Sequence, residues 1–149
     1  MSKNFPEDLK LGEEIEQYIL KELSKEHPTL GKVQGYNPGC DLQDLDGYSV
    51  EIKFDRGSER TGNIAFEYRY KRLPSGISRS SAIDWVQVYF SKGWVYSQVR
   101  TTSLRVYLKS NIKYFKRIKG GDDNQSELII VPIPIFEESF CSKRIADIK

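Results

Sequence analysis

Asn37-Pro38-Gly39-Cys40-Asp41-Leu42-Gln43-Asp44-Leu45-Asp46-Gly47-Tyr48-Ser49-Val50-Glu51-Ile52-Lys53-Phe54 decides how this chain is read. Its second half, Tyr48 to Phe54, is a run of strand formers in which Glu51 and Lys53 stand two apart, so both point to one face. Asp46-Gly47 marks a hairpin turn ahead of that strand, and the turn type decides where Asp41 lands. A two-residue loop sets Leu42 opposite Glu51 and turns Asp41 to the wrong face. A three-residue loop, Leu45-Asp46-Gly47 with the glycine left-handed, pairs Asp41 with Glu51 and brings their Cβ atoms to roughly 5 Å. The expectation is the longer loop, or a bulge of equal effect. Two carboxylates and a lysine so placed can hold a divalent cation.

Upstream, Leu9 to Ser24 reads as an amphipathic helix, with Leu11, Ile15, Tyr18, Ile19 and Leu23 at helical spacing and Pro28 beyond its end. Glu16 lies at the edge of that apolar stripe, at the border between core and surface. Lys32 to Tyr36 is a first strand, Asp41 to Leu45 and Tyr48 to Phe54 form the hairpin, and Asn63 to Tyr70 is a further strand. Together they make one helix followed by a mainly antiparallel meander. Ser78 to Ile83 offers serine caps for a short helix, and Trp85 to Phe90 and Trp94 to Val99 flank a Ser-Lys-Gly turn as a second hairpin. Thr102 or Ser103 caps a helix running to about Phe115. Gly120 to Ser126 is an exposed loop, Leu128 to Ile133 a strand, and Phe136 to Ile148 a closing helix.

The net charge of +2 conceals a division along the chain. Glu51 to Lys119 holds fifteen Lys or Arg against five Asp or Glu, a local charge of +10, and the remainder carries −8. A basic middle in a near-neutral protein is the footprint of a phosphate-binding face. Arg105, Lys109 and Lys113 fall at i, i+4 steps on the expected helix, and Lys116 and Arg117 follow with no acid between. Like charges at that spacing repel by a few tenths of a kcal/mol per pair, so helix stability does not explain them, whereas contact with a polyanion would.

At 149 residues the chain suits a single domain with a full core. No stretch approaches the apolar length of a membrane span, and residues 1–8 lack a signal peptide's apolar segment, so a soluble, cytoplasmic protein is expected. Cys40 and Cys141 form no Cys-x-x-Cys or His-Cys cluster, which points to reduced thiols and away from zinc. His27, the only histidine, is expected at the surface, and its isolation excludes histidine-based nuclease chemistry.

Pro38-Gly39-Cys40-Asp41 and Glu51-Ile52-Lys53 together resemble the PD-(D/E)XK, or restriction-endonuclease-like, nucleases, whose pattern is an Asp, a variable gap and Glu-x-Lys. The proline here stands three residues before the aspartate instead of one, and no ligand is lost by that. Gly12-Glu13-Glu14-Ile15-Glu16 resembles the first helix of the archaeal Holliday-junction resolvase branch, in which a metal-site glutamate follows a glycine by four. Asp55-Arg56, Thr61 to Tyr68, Pro74-Ser75-Gly76-Ile77 and Ala82-Ile83-Asp84-Trp85 resemble phage and bacterial members of the superfamily. The resemblance covers about residues 9 to 90.

It implies an α/β (α+β) fold with a restriction-endonuclease-like core, a central mixed β-sheet flanked by helices, over residues 1–149. It also implies a Mg²⁺- or Mn²⁺-dependent deoxyribonuclease acting in recombination, repair or phage DNA processing. Asp41, Glu51 and the Ile52 carbonyl would ligate the ion, joined directly or through water by Glu16. Lys53 would orient or deprotonate the attacking water. Arg56, Ser75, Arg105, Lys109, Lys113, Lys116 and Arg117 are the candidate DNA contacts, with Asp55 and Glu67 either supporting the site or purely structural. Branched DNA is the preferred substrate, and paired cuts at a junction would call for a homodimer, although no dimer face is legible. The alternatives are a restriction-like duplex endonuclease and a non-catalytic DNA-binding module that keeps the fold.

Overall fold

Alternation along the strands builds two cores on opposite faces of one sheet. The protein, seen in a computed structural model that describes residues 5–33 and 40–146, begins with α1 (Phe5–Leu23), followed by β1 (Gly31–Lys32), β2 (Leu42–Gln43) and β3 (Ser49–Phe54). A short α2 (Ser58–Thr61), β4 (Asn63–Tyr70), β5 (Leu73–Pro74) and a 3-10 turn (Gly76–Ser78) come next. Then follow β6 (Asp84–Phe90), β7 (Trp94–Arg100), α3 (Thr101–Asn111), a second 3-10 turn (Ile112–Tyr114) and β8 (Lys116–Gly120). The chain closes with β9 (Ser126–Pro132), α4 (Ile133–Ser139) and β10 (Lys143–Arg144).

The strands form a six-stranded mixed sheet, ordered β1-β2-β3-β6-β7-β10, and a four-stranded sheet ordered β5-β4-β9-β8. In the first, β3 and β6 run parallel and their neighbours antiparallel. β6 is central and buried on both faces, which is why it reads as an almost unbroken apolar run. Val86 and Val88 face α1 and pack with Ile15, Ile19, Leu23, Leu42 and Val50. Trp85 and Tyr89 face the other way and pack with Ile64, Phe66, Ile129, Val131, Leu104 and Phe136 from the second sheet, α3 and α4. Burying side chains of this size stabilises by about 1.5–3 kcal/mol each before entropy is counted. The order of layers is α1, mixed sheet, then second sheet with α3 and α4.

Several expectations need correction. β4 does not extend a meander, because it pairs with β9 in the second sheet while β3 takes β6 as its parallel neighbour. The short helix expected at Ser78 to Ile83 is instead a 3-10 turn begun at Gly76. The helix expected to reach Phe115 ends at Asn111, and Lys116 to Gly120 forms a strand. The closing helix starts early, with Pro134 in its first turn, and stops at Ser139. Phe136 belongs to the core between the sheets and Ile145 to the core under α1, on opposite faces of the mixed sheet, so one continuous helix could not bury both. The chain instead crosses the sheet edge by pairing β10 with β7. Of the first expected strand, Lys32 to Tyr36, only Lys32 is in a strand, β1, and Gln34 to Tyr36 lie outside the described residues. No helix is long and apolar enough to cross a membrane.

Candidate functional site

The hairpin register places the motif. Leu42 pairs with Val50 and Gln43 with Ser49, and the Asp44 N–H donates to the Tyr48 carbonyl at 2.9 Å. The loop is therefore Leu45-Asp46-Gly47, with Gly47 left-handed at φ 92°, as the longer-loop reading requires. One cause lies outside the loop itself. Asp44 is buried, and its Oδ1 accepts the N–H groups of Asp46 and Tyr48 at 2.9 and 2.8 Å. His27 is not a plain surface residue: its ring stacks on Tyr48 at 3.7 Å, and its Nδ1 lies 3.6 Å from Asp44 Oδ2.

Continuing that register sets Asp41 opposite Glu51, but the ladder changes there. The Asp41 N–H turns to the Val50 carbonyl at 2.8 Å, and its Oδ2 accepts the Ile52 N–H at 2.8 Å. The Asp41 carboxylate thus stands where the next rung of backbone would be. The N–H and C=O of Ile52 both point to this edge, because Asp55 donates to Val88 and so leaves odd-numbered β3 residues bonded to β6. A carboxylate and a carbonyl converge at the fork between β2 and β3.

Glu51 is 8% exposed. Burial, followed by a side-chain hydrogen bond with Asp41, pushes its carboxyl up to about 7, against the opposing pull of Lys53. Lys53 Nζ lies 3.4 Å from Glu51 Oε1 and is half-exposed. Glu16, on α1, shares a cavity of about 330 Å³ with Asp41 and Ile52, and its Oε1 lies 3.6 Å from Lys32 Nζ. Among the described residues no three His, Cys, Asp or Glu side chains stand close enough to hold an ion by themselves. The donors that do converge, Asp41 and Glu51 with the Ile52 carbonyl, are all hard oxygens and suit Mg²⁺ or Mn²⁺ over softer metals.

This arrangement makes stability depend on pH. Glu51 keeps its proton in the folded, metal-free protein up to about pH 7, whereas the unfolded chain loses it near its ordinary value of 4.5. Between those values the folded state holds the extra proton, so stability is fully present below the window and falls as pH rises through it. Glu51→Gln, which keeps a donor toward Asp41, is expected to flatten that slope. At pH 8 in EDTA it should stabilise the protein by about 1 kcal/mol, a figure reduced for residual solvent access. Urea unfolding of both proteins at pH 5 and pH 8 measures this, and equal slopes would reject it.

Asp55 is a tie between elements. Its Oδ2 accepts the Ala65 N–H at 2.8 Å, and its backbone carbonyl accepts the Ser58 N–H at 3.2 Å and hydroxyl at 2.7 Å. It therefore joins the end of β3 to α2 and β4. Glu67 Oε1 accepts the Ser126 hydroxyl at 2.6 Å, fixing β4 to β9. Both also line a second cavity of about 310 Å³ that holds Lys53, Arg56 and Gln87. Gln87, paired with Lys53 across the parallel strands, is buried and accepts the Trp85 indole N–H at 3.0 Å. A buried glutamine in an otherwise apolar strand was the signal that could have found it.

The expected DNA contacts divide. The guanidinium of Arg56 lies 5.6 Å from the Trp94 ring and 5.9 Å from Phe54, a stacked cation at the mouth of the second cavity. The Ser75 N–H donates to the Tyr68 carbonyl at 3.2 Å, and its hydroxyl is buried. Arg105 is half-buried, and its Nε and one terminal nitrogen donate to the carbonyls of Ile77 and Ser80 at 3.0 and 2.7 Å. Lys109 is exposed on α3, Lys113 sits in the 3-10 turn with Nζ 5.2 Å from the Tyr114 ring, and Lys116 and Arg117 are exposed on β8. The helical ladder is thus split over three elements, and adjacent Lys116 and Arg117 point to opposite faces of their strand. No protein-family model matches the chain, and no curated protein matches it.

Proposed function

We propose that this protein is a metal-dependent DNA endonuclease with a restriction-endonuclease-like core. The observation that carries the reading is the register of the β2–β3 hairpin, which sets Asp41 against Glu51 with Lys53 at 3.4 Å from Glu51. Asp41, Glu51 and the Ile52 carbonyl would hold the ion, with Glu16, already facing Lys32, reaching it through water. Bound Mg²⁺ supplies Lewis-acid polarisation of a phosphate oxygen. Lys53 Nζ positions the attacking water and stabilises the negative charge that develops on the phosphate. Water oxygen bonds to phosphorus and gives up a proton to solvent, while the phosphorus–oxygen bond to the leaving sugar breaks and the sugar oxygen, which keeps the electron pair, takes a proton from solvent.

Arg56 at the mouth of the second cavity, with the exposed Lys109, Lys113, Lys116 and Arg117, supplies phosphate contacts. Branched DNA is the favoured substrate class, on the resemblance of α1 to resolvases, and paired cutting of a junction would use a homodimer. The test incubates the protein with four-way junction, linear duplex and single-stranded DNA in Mg²⁺, Mn²⁺ or EDTA, beside Asp41→Ala. Metal-dependent cutting that Asp41→Ala loses supports the reading and ranks the substrates. Binding without cutting on every substrate replaces it with a DNA-binding module.

A further inference from the structure

β4 and β5 are joined by a loop of only two residues, since Tyr70 pairs with Leu73. Lys71 and Arg72 fill it at φ 49° and 68°. Positive φ at both central positions defines a type I′ turn, which strongly prefers Asn-Gly. Each left-handed side-chain residue costs energy that a glycine would not, so the loop accepts strain to keep two cations at its tip.

The surroundings of these cations make the choice informative. Lys71 and Arg72 are exposed, and among the described residues no carboxylate ion-pairs with either. The neighbouring turn carries an exposed Asp123. Tyr70 and Leu73, which flank the cations, are 40% and 68% exposed, an aromatic and an aliphatic side chain held in water at a hairpin end. Lys71 Nζ stands 5.5 Å from the Tyr70 ring.

The hairpin is also tied to the candidate site. Its strand β4 carries Glu67 in the cavity that contains Lys53, and three residues of extended chain, about 10 Å, lead from Glu67 to Tyr70. The Lys71 N–H donates to the Gln125 carbonyl at 3.0 Å, which anchors the tip to the β8–β9 turn. Tyr68, at a register shift between Glu67 and Arg69, bends the strand just before the tip.

We propose that the Tyr70–Leu73 hairpin tip is a DNA-contacting element in which Lys71 and Arg72 each neutralise a backbone phosphate. The proposal rests on the nuclease reading above and adds the element that holds the flanking duplex. Phosphate contact explains two cations at positions whose backbone favours other residues, and the exposed Tyr70 and Leu73 provide apolar surface against the sugar edge.

Two effects of one variant then run in opposite directions. Lys71→Asn with Arg72→Gly installs the residues the turn prefers, so the midpoint of thermal unfolding should rise by a few degrees. Its affinity for a catalytically silent duplex or four-way junction in EDTA should fall between about ten- and a hundredfold at 0.1 M salt, and the slope of log K against log salt should flatten by about 2. A stabilised variant that binds with wild-type affinity and slope overturns the hairpin's role while leaving the nuclease reading intact. Wild-type protein that neither binds nor cuts DNA overturns both. A variant with lower stability and lower affinity also overturns the proposal, because the loss would then follow from the fold.

Discussion

Lys53→Met is expected to abolish DNA cleavage while DNA affinity stays within about threefold of wild type. The methionine keeps the length and apolar stem of the lysine and removes only the charge. Lys53 is half-exposed at a strand position, so the fold does not depend on it. Its charge faces Glu51 at 3.4 Å, and on the proposed reading it would meet the negative charge that develops on a phosphate. Removing a group that acts mainly in the transition state lowers kcat by about 10³-fold, or about 4 kcal/mol, with little change in KM. Lys53→Arg should not restore activity, since a planar guanidinium cannot present the same point charge. Without Lys53, Glu51 loses the cation that opposes its raised pKa, so metal binding should also need a higher pH. Single-turnover cleavage and fluorescence binding on one DNA substrate measure both quantities. Equal loss of binding and cutting would make Lys53 a phosphate anchor and remove it from the catalytic assignment.

Gly76→Ala should destabilise the protein by about 3 kcal/mol. A Cβ at this position would lie 2.3 Å from the Glu67 carbonyl oxygen and 3.0 Å from its carbon, in a backbone at φ 53°. The neighbour is main chain in the middle of β4, which cannot turn aside as a side chain would. The clash and the left-handed conformation therefore add. Gly47→Ala is the control, because it is left-handed at φ 92° with nothing within 4 Å, and it should cost only about 1 kcal/mol. Urea midpoints of the two variants separate packing from backbone strain. Gly76 and Glu67 both line the cavity beside Lys53, so on the proposed reading a folded Gly76→Ala protein should also cut more slowly.

The local chemistry of the motif was legible in the sequence because it depends on strand period and on one turn. Glu51 and Lys53 share a face by alternation, and Asp46-Gly47 restricted the loop to two lengths with opposite consequences for Asp41. α1, the Trp85–Val99 hairpin and the Ser91-Lys92-Gly93 turn were legible for the same reason, since each is stabilised by residues close in sequence. The surroundings of Arg105 and Ser75 were not legible, because charge and polarity do not show which carbonyls or core atoms the fold will bring to them. The turn at Lys71-Arg72 left no trace, as neither residue favours the conformation it adopts.

By itself, then, the sequence determined α1, strands β3, β4, β6, β7 and β9, the hairpin that joins Asp41 to Glu51 and the basic middle of the chain. Only the tertiary structure decided that β3 pairs in parallel with β6, that β4 leaves for a second sheet, and that Ile145 crosses the sheet edge to reach the core under α1. Those choices are made by contacts between residues far apart in the chain. They depend on which apolar faces can be buried together, and no local propensity carries that information.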